Sequence, residues 1–462
     1  MEASKKKLYL KYLVVVLMAV QFSFDSCVYL SSVVNYIKST GVKNPDSFLF
    51  VMQAVSAAVQ VFASFFIGNI VELVGSMRWT IISLYFLSFV GNFLYSCGGA
   101  ISPGTLLGGR IICGTASASG AVIFSYITSV TTEKEVVFKL VAIYRTSAGI
   151  CMALSQVVAI LFGLLDFKIR GYQINSYNAP TFAASFFILA ICSLLVIVLE
   201  DPGEKPKKGQ NTNFFAVWKQ FFSTKRSRLF SCLILLWCMF HSSFIMSEVM
   251  YFMPVFLTLH LDWQTKFQGV SFMIASILGV AGSYFAPKLI HTKLFTKSSK
   301  IIHSESESTH SNELEKQVIL KTKEIEKDSL YVNQVKFSLF SLIVALIGQA
   351  FMIGASESLK HNSLPATNSG VFFVAGLSVT MIGYNFLASS IPALFSMHID
   401  PSLKLQLMPS VGAISGIGKL VSPIVLAALY KTRLGLPIGV GFGMILVAIS
   451  IPPLYWLRIK RF

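Results

Sequence analysis

Charge is scarce in this chain. Only 13% of its 462 residues are Asp, Glu, Lys or Arg, and 54% are hydrophobic, too little polar surface to cover a soluble globule of this length. Closely spaced cysteines are lacking too. The seven, at 27, 97, 113, 151, 192, 232 and 238, fall in or beside apolar runs without the paired spacing of a zinc site. They read as small packing residues, and neither a metal nor a disulfide is expected. Also absent are Gly-x-Ser-x-Gly, His-Glu-x-x-His and Gly-x-x-x-x-Gly-Lys, which removes the common hydrolase, zinc-protease and nucleotide-driven classes. No enzyme activity and no cofactor are expected. Acidic residues are outnumbered, 21 against 38 Lys and Arg, for a formal charge of +17. The basic residues sit mostly between apolar runs, with no basic face and aromatic stacking platforms of the kind that binds nucleic acid.

What the chain does contain is a series of apolar runs of about 20 residues, the length of a bilayer-spanning helix. They begin near Leu10, Ser47, Thr80, Thr105, Lys139 and Pro180, then near Phe230, Gln268, Lys336, Gly370, Pro409 and Pro437. The pattern predicts an all-α polytopic membrane protein with twelve transmembrane helices in two six-helix bundles. Residues 1–199 form the first bundle, 200–229 a cytosolic linker, and 230–462 the second bundle with a long cytosolic loop at 291–335. Basic residues from Lys5 to Lys11 and at Arg458, Lys460 and Arg461 place both ends in the cytosol. The run after Lys5-Lys6-Lys7 is too long for a signal peptide and reads as a retained first helix.

The polar segments carry their own signals. Asp201-Pro202-Gly203 cannot continue a helix, while Phe214, Phe215, Trp218, Phe221 and Phe222, interleaved with Lys219 and Lys225, suit a short interfacial helix. In the loop at 291–335, Glu315 to Leu320 resembles an acidic dileucine sorting signal, with sorting adaptors as the expected partner. Gln53, Ser56, Ala57, Gln60 and Ser64 share one helix face, suited to sliding against the other bundle. Gly412 and Gly416, and Gly435, Gly439 and Gly443, mark further close approaches.

Four ionisable residues fall well inside spans: Asp25, Arg110, Glu248 and Lys419. A charge at mid-bilayer costs on the order of 3 kcal/mol, so each should face protein or water. Each has polar company on its own face: Gln21, Tyr29 and Ser32 with Asp25, Gly114 and Ser117 with Arg110, His241 with Glu248, Ser415 and Ser422 with Lys419. Arg110, Lys419, Asn385, Tyr29 and Gln21 are the candidate substrate-binding residues, and Asp25, Glu248 and His241 the candidate coupling groups. The competing structural expectation pairs Asp25 with Arg110 and Glu248 with Lys419 only to fix packing. Arg145, near the cytosolic end of the fifth span, reads as a snorkelling side chain.

Twelve spans, a central basic linker and Arg110-x-x-x-Gly114 together resemble the major facilitator superfamily. The loop after the second span, with Gly68, Glu72, Gly75 and Arg78, resembles its gating motif, although Glu72 replaces the usual Asp and Leu73 the first Arg. Gly109 to Gly114, Ser125-Tyr126, Gln173 to Pro180 and Ser415 to Pro423 are similar to the lysosomal ceroid-lipofuscinosis-type facilitators. Phe124 departs from that group, standing where a second fourth-span arginine is expected, and Lys419 replaces an arginine. The resemblance implies a late endosomal or lysosomal membrane, with the plasma membrane as alternative. It also implies a secondary transporter or an anion-conducting protein, and the charges within the spans favour a secondary active transporter of a small anionic or zwitterionic solute by alternating access, proton coupling included. An anion-conducting pathway and a non-transporting scaffold or sensor are the alternatives. The expected partners are a small molecule or ion and the bilayer, with the chain a monomer.

Overall fold

The computed structural model describes residues 2–131, 134–169, 172–202, 214–223, 226–290, 336–359, 361, 365–399, 404–430, 438–440 and 443. The first half runs through α1 (Glu2–Cys27), α2 (Val33–Ser39), α3 (Pro45–Val74), α4 (Met77–Ile101), α5 (Pro103–Ala116), α6 (Ser119–Val130), α7 (Lys134–Phe162) and α8 (Ala179–Val198). The linker forms α9 (Phe214–Phe222). The second half contains α10 (Arg226–Leu259), α11 (Thr265–Ile290), α12 (Lys336–Leu359), α13 (Ala366–His398), α14 (Lys404–Leu407) and α15 (Pro409–Leu429). Among the described residues eleven segments are long and apolar enough to cross a bilayer, α5 and α6 together making one, and each starts within three residues of its expected position. The expected twelfth span and the sorting-type segment Glu315 to Leu320 lie outside the described residues, apart from a few residues of the span near Ile438.

Several starts have a local cause. Proline occupies the first turn of α3, α5, α8 and α15, where its missing N–H costs nothing. Between α3 and α4, Gly75 takes the left-handed conformation (φ 71°) that closes α3, and Ser76 Oγ accepts from the Trp79 N–H to open α4. A small antiparallel hairpin, β1 (Phe167–Ile169) and β2 (Tyr172–Ile174), interrupts the otherwise helical chain. It explains the Gln173 to Pro180 stretch in structural terms: Asn178 Nδ2 donates to Tyr172 Oη (2.9 Å) and to the Gln173 carbonyl (3.0 Å) just before α8.

Both halves use the same close crossing. A Cβ on Gly109 of α5 would lie 2.7 Å from the Gly91 carbonyl of α4, and one on Gly376 of α13 would lie 2.6 Å from the Gly348 carbonyl of α12. Glycine alone allows backbones so near, and close backbone approach is how helices associate where lipid removes the hydrophobic drive. The two halves meet mainly along α3 with α15 and α7 with α11. The polar face expected to slide on the other bundle does not do so as a unit. Ser56 turns inward to α5, donating to the Arg110 carbonyl at 2.8 Å. Val61 is the residue that meets Gly416 of α15, which a Cβ there would approach to 2.8 Å.

Gly109→Ala places a methyl 2.6 Å from the Tyr95 backbone nitrogen and is expected to cost about 1–3 kcal/mol by overpacking. Gly120→Ala, where nothing lies within 4 Å, is expected to be neutral. Thermal unfolding of the two purified variants in detergent checks the contrast; equal midpoints would show that the crossing is looser than this.

Candidate functional site: a buried basic centre

Arg110 reaches the interior because α5 is pressed between α3 and α4 by Gly114 and Gly109. Its guanidinium lies over the Tyr29 ring, 4.2 Å from the centroid, and 6.0 Å from that of Tyr95. One terminal nitrogen donates to the main-chain carbonyl of Asp25 (3.1 Å), the other to Tyr29 Oη (3.3 Å). Nε has no hydrogen-bond partner. Tyr29 Oη also accepts from Gln53 Nε2 at 2.8 Å, so the hydroxyl oxygen is aimed by α3 as well as by α5.

The expected Asp25–Arg110 charge pair is not made. Asp25 turns its carboxylate toward α4, accepting from Ser88 Oγ (2.7 Å) and Asn92 Nδ2, and from Gln21 Nε2 of its own helix (2.8 Å). Gln21 in turn accepts from Ser119 Oγ at 2.8 Å. Three neutral donors thus hold the carboxylate, and the guanidinium makes no direct ion pair with it. Ser88 and Asn92 were absent from the sequence-based candidates; their spacing of four on one helix face was the available signal.

Lys419 projects from α15 with its ammonium 5.2 Å from the Phe22 ring centroid of α1, and its charged neighbours are two cations, Arg145 and Arg110. The expected ion pair with Glu248 does not form. Glu248 Oε2 accepts from Gln349 Nε2 of α12 at 3.3 Å. Ser415, one turn before Lys419, shares a 2.7 Å hydrogen bond with Ser243 of α10. Arg145 overturns its snorkelling expectation: it is 7% exposed, its guanidinium 5.1 Å from the Phe124 centroid. Its depth is as the apolar run indicated, six residues into the span that starts at Lys139; what differs is its direction, turned onto Phe124 of α6.

Arg110, Lys419, Tyr29, Gln21 and Asp25 are therefore brought into one neighbourhood. His241 and Asn385 have other immediate partners: His241 donates from Nδ1 to the Trp237 carbonyl (2.9 Å) and packs on that indole, while Asn385 bridges α13 to α11, accepting from Ser283 Oγ at 3.3 Å.

The bundles touch at both ends of this centre. At the end assigned to the cytosol, Glu72, which lies on α3 within the stretch read as a gating motif, accepts from Gln406 Nε2 of α14 at 2.6 Å. Gly68 lies buried one turn earlier on α3. Asp201, read from sequence as linker, binds the start of α4 through Ser76 Oγ (2.7 Å) and the Arg78 N–H (2.9 Å). The Arg78 side chain donates to the Val196 carbonyl at 2.5 Å. At the opposite end Phe50 meets Tyr430 edge-on at 6.0 Å, and Asn35 donates to Thr265 Oγ1 at 3.4 Å.

Comparison with known proteins agrees with this architecture. The family described as Major Facilitator Superfamily matches residues 15–302. The MFS-type transporter PUL3 of Kluyveromyces lactis is 62% identical over 456 residues, 98% of each chain. A membrane protein of Saccharomyces cerevisiae described as uncharacterized, YNR062C, is 65% identical over 334 residues, 72% of this chain and 99% of that one. Among solved structures, the human organic anion transporter MFSD10 superposes with a TM-score of 0.64 at 13% identity, covering 96% of this chain and 98% of its own. The xylose transporter XylE of E. coli, in a partially occluded inward-open state, gives 0.61 at 13% with the same coverage. These two likenesses concern the fold. Neither named relative carries the lysosomal ceroid-lipofuscinosis description, so the narrower resemblance read from the sequence is not supported. The chain belongs to the major facilitator superfamily and is a membrane transporter, not an enzyme.

Proposed function

We propose that the basic centre binds a small anionic or zwitterionic solute and carries it by alternating opening of the two ends. The observation behind this reading is that Arg110, Arg145 and Lys419 each rest on an aromatic ring, while the nearby Asp25 carboxylate is taken up by neutral donors. Burying an ion costs several kcal/mol even after relaxation, and a ring face returns about 0.5–2 kcal/mol. An anion arriving from solution offsets the rest. In this scheme Arg110 and Lys419 hold the solute from opposite bundles, and Tyr29 and Gln21 orient the groups around them.

Asp25 is the carboxylate placed to couple transport to protons. Its main-chain carbonyl accepts from Arg110, and its side chain is held by α4 and by its own helix, so a shift of Arg110 on solute binding reaches it directly. Glu248 and His241 are second choices, set toward α12 and Trp237 respectively. For the compartment, an endolysosomal membrane is proposed with the plasma membrane as the alternative; a fluorescent fusion separates them.

Two experiments test the scheme. Proteoliposomes screened with small organic anions are expected to show saturable uptake, with Arg110→Gln and Lys419→Gln each lowering kcat/KM at least tenfold, about 1.4 kcal/mol. Unsaturable ohmic current would replace the carrier with a conducting pathway, and intact uptake in both variants would remove the cations from the site. For coupling, Asp25→Asn is expected to abolish acceleration by a pH gradient while solute exchange continues. A variant that folds, by its melting profile, yet keeps the gradient response would assign coupling elsewhere.

A further inference from the structure

Arg145 has a position that packing does not explain. It lies on α7, buried against Phe124 of α6, with the Tyr144 ring 5.9 Å from its guanidinium. Its Nε has no hydrogen-bond partner. The ion pair formed among the described residues is His361 with Glu357, at the end of α12, and Arg145 takes no part in it. A guanidinium carries five N–H donors in a planar fork shaped for a carboxylate or phosphate, and a ring face satisfies none of them. A side chain needed only to tie α7 to α6 would do so without a charge, as Leu or Met would.

The neighbouring charges point the same way. Arg145 and Lys419 approach the same stretch of α1: Ser23 donates to the Ala148 carbonyl, one turn beyond Arg145, at 2.6 Å, and the Lys419 ammonium lies over the ring of the adjacent Phe22. Arg110 already directs its two terminal nitrogens at Asp25 and Tyr29, and its free edge suits one anionic group. Lys419 keeps partial exposure although it sits among buried groups, as a side chain bordering an internal space does. One monoanionic group would balance only one of these three cations.

We propose that Arg145 is a ligand-binding residue which, with Lys419, forms a second anion subsite, so that the transported solute carries two anionic groups. One is held near Arg110 and the other between Arg145 and Lys419. This rests on the reading that the centre binds an anion, and adds valence to it. The second subsite is shared between the bundles, α7 in one and α15 in the other.

The test uses the full chain in detergent and linear α,ω-dicarboxylates of three to six carbons, each beside the monocarboxylate of equal length at matched ionic strength. The half-saturating concentration is read from the rise in unfolding midpoint, since a ligand that binds the folded state stabilises it by mass action. At least one dicarboxylate is expected to bind tenfold or more tightly than its monocarboxylate partner. Arg145→Gln should abolish that ratio, Arg145→Lys should retain part of it, and monocarboxylate binding should change less than threefold in either. A purely structural Arg145 would lower the basal midpoint and leave the ratio intact, which overturns the proposal. Equal binding of both series also overturns it while leaving the anion reading standing. Binding of neither removes the anion reading and this inference together.

Discussion

The structure depends on how positive charge is carried in an interior that has little to balance it. Arg110 lies over Tyr29 with Tyr95 beside it, Arg145 over Phe124 with Tyr144 beside it, and Lys419 over Phe22. A carboxylate partner would neutralise a cation and fix the helices; a ring stabilises it less and leaves its donors available. The cost falls on the fold, and close packing elsewhere has to supply it. The glycine crossings of α4 with α5 and of α12 with α13 do so by bringing backbones into close contact where the glycines meet. Those crossings also bring Tyr95 against α5, so the packing that stabilises the bundle is the packing that completes the aromatic surround of Arg110.

The helices bearing the cations are not equivalent. Arg110 stands on α5, inside one bundle, whereas Arg145 and Lys419 stand on α7 and α15, members of the two main seams between the halves. A solute drawing Lys419 toward Arg110 and Arg145 therefore acts across the seam. Ligands shift a conformational equilibrium only by binding its states unequally. A site assembled from both halves meets that requirement, because separation of the bundles at either end changes the distance between the cations.

Much of this was legible in the sequence, and the limits were those of distance. Apolar length alone located each described span, since hydrocarbon thickness sets it, and first-turn prolines marked several starts. Arg110, Asp25 and Lys419 stood out because charge is costly within such runs. What one sequence does not contain is rotation between helices. Asp25 and Arg110 are neighbours, as expected, yet the carboxylate faces Ser88 and Asn92 and the guanidinium meets the main chain. Glu248 and Lys419 share a half of the chain, but Glu248 accepts from Gln349 of α12 while Lys419 lies over Phe22 of α1. Arg145 was misread for the same reason: its depth is as counted from Lys139, but the side chain is turned onto Phe124 of α6. Phe124, which departed from the resembling group by lacking a charge, turns out to seat the arginine of the next helix.

The stretch read as a degenerate gating motif can be put in the same terms. Glu72 meets a neutral amide, Gln406, where a charge pair would have been harder to open. A hydrogen bond to a charged group contributes about 1.5–3 kcal/mol, and this one is only part-buried. At the other end the contacts among the described residues are aromatic and amide, Phe50 with Tyr430 and Asn35 with Thr265. Inverting a two-state equilibrium from 1:99 to 99:1 takes about 5.5 kcal/mol of differential binding. Neutralising buried cations that cost several kcal/mol each is a source of that size, whereas either end contact alone is not. In the proposed cycle, then, the ends need only be weak, and the solute's charge at the centre decides which of them opens.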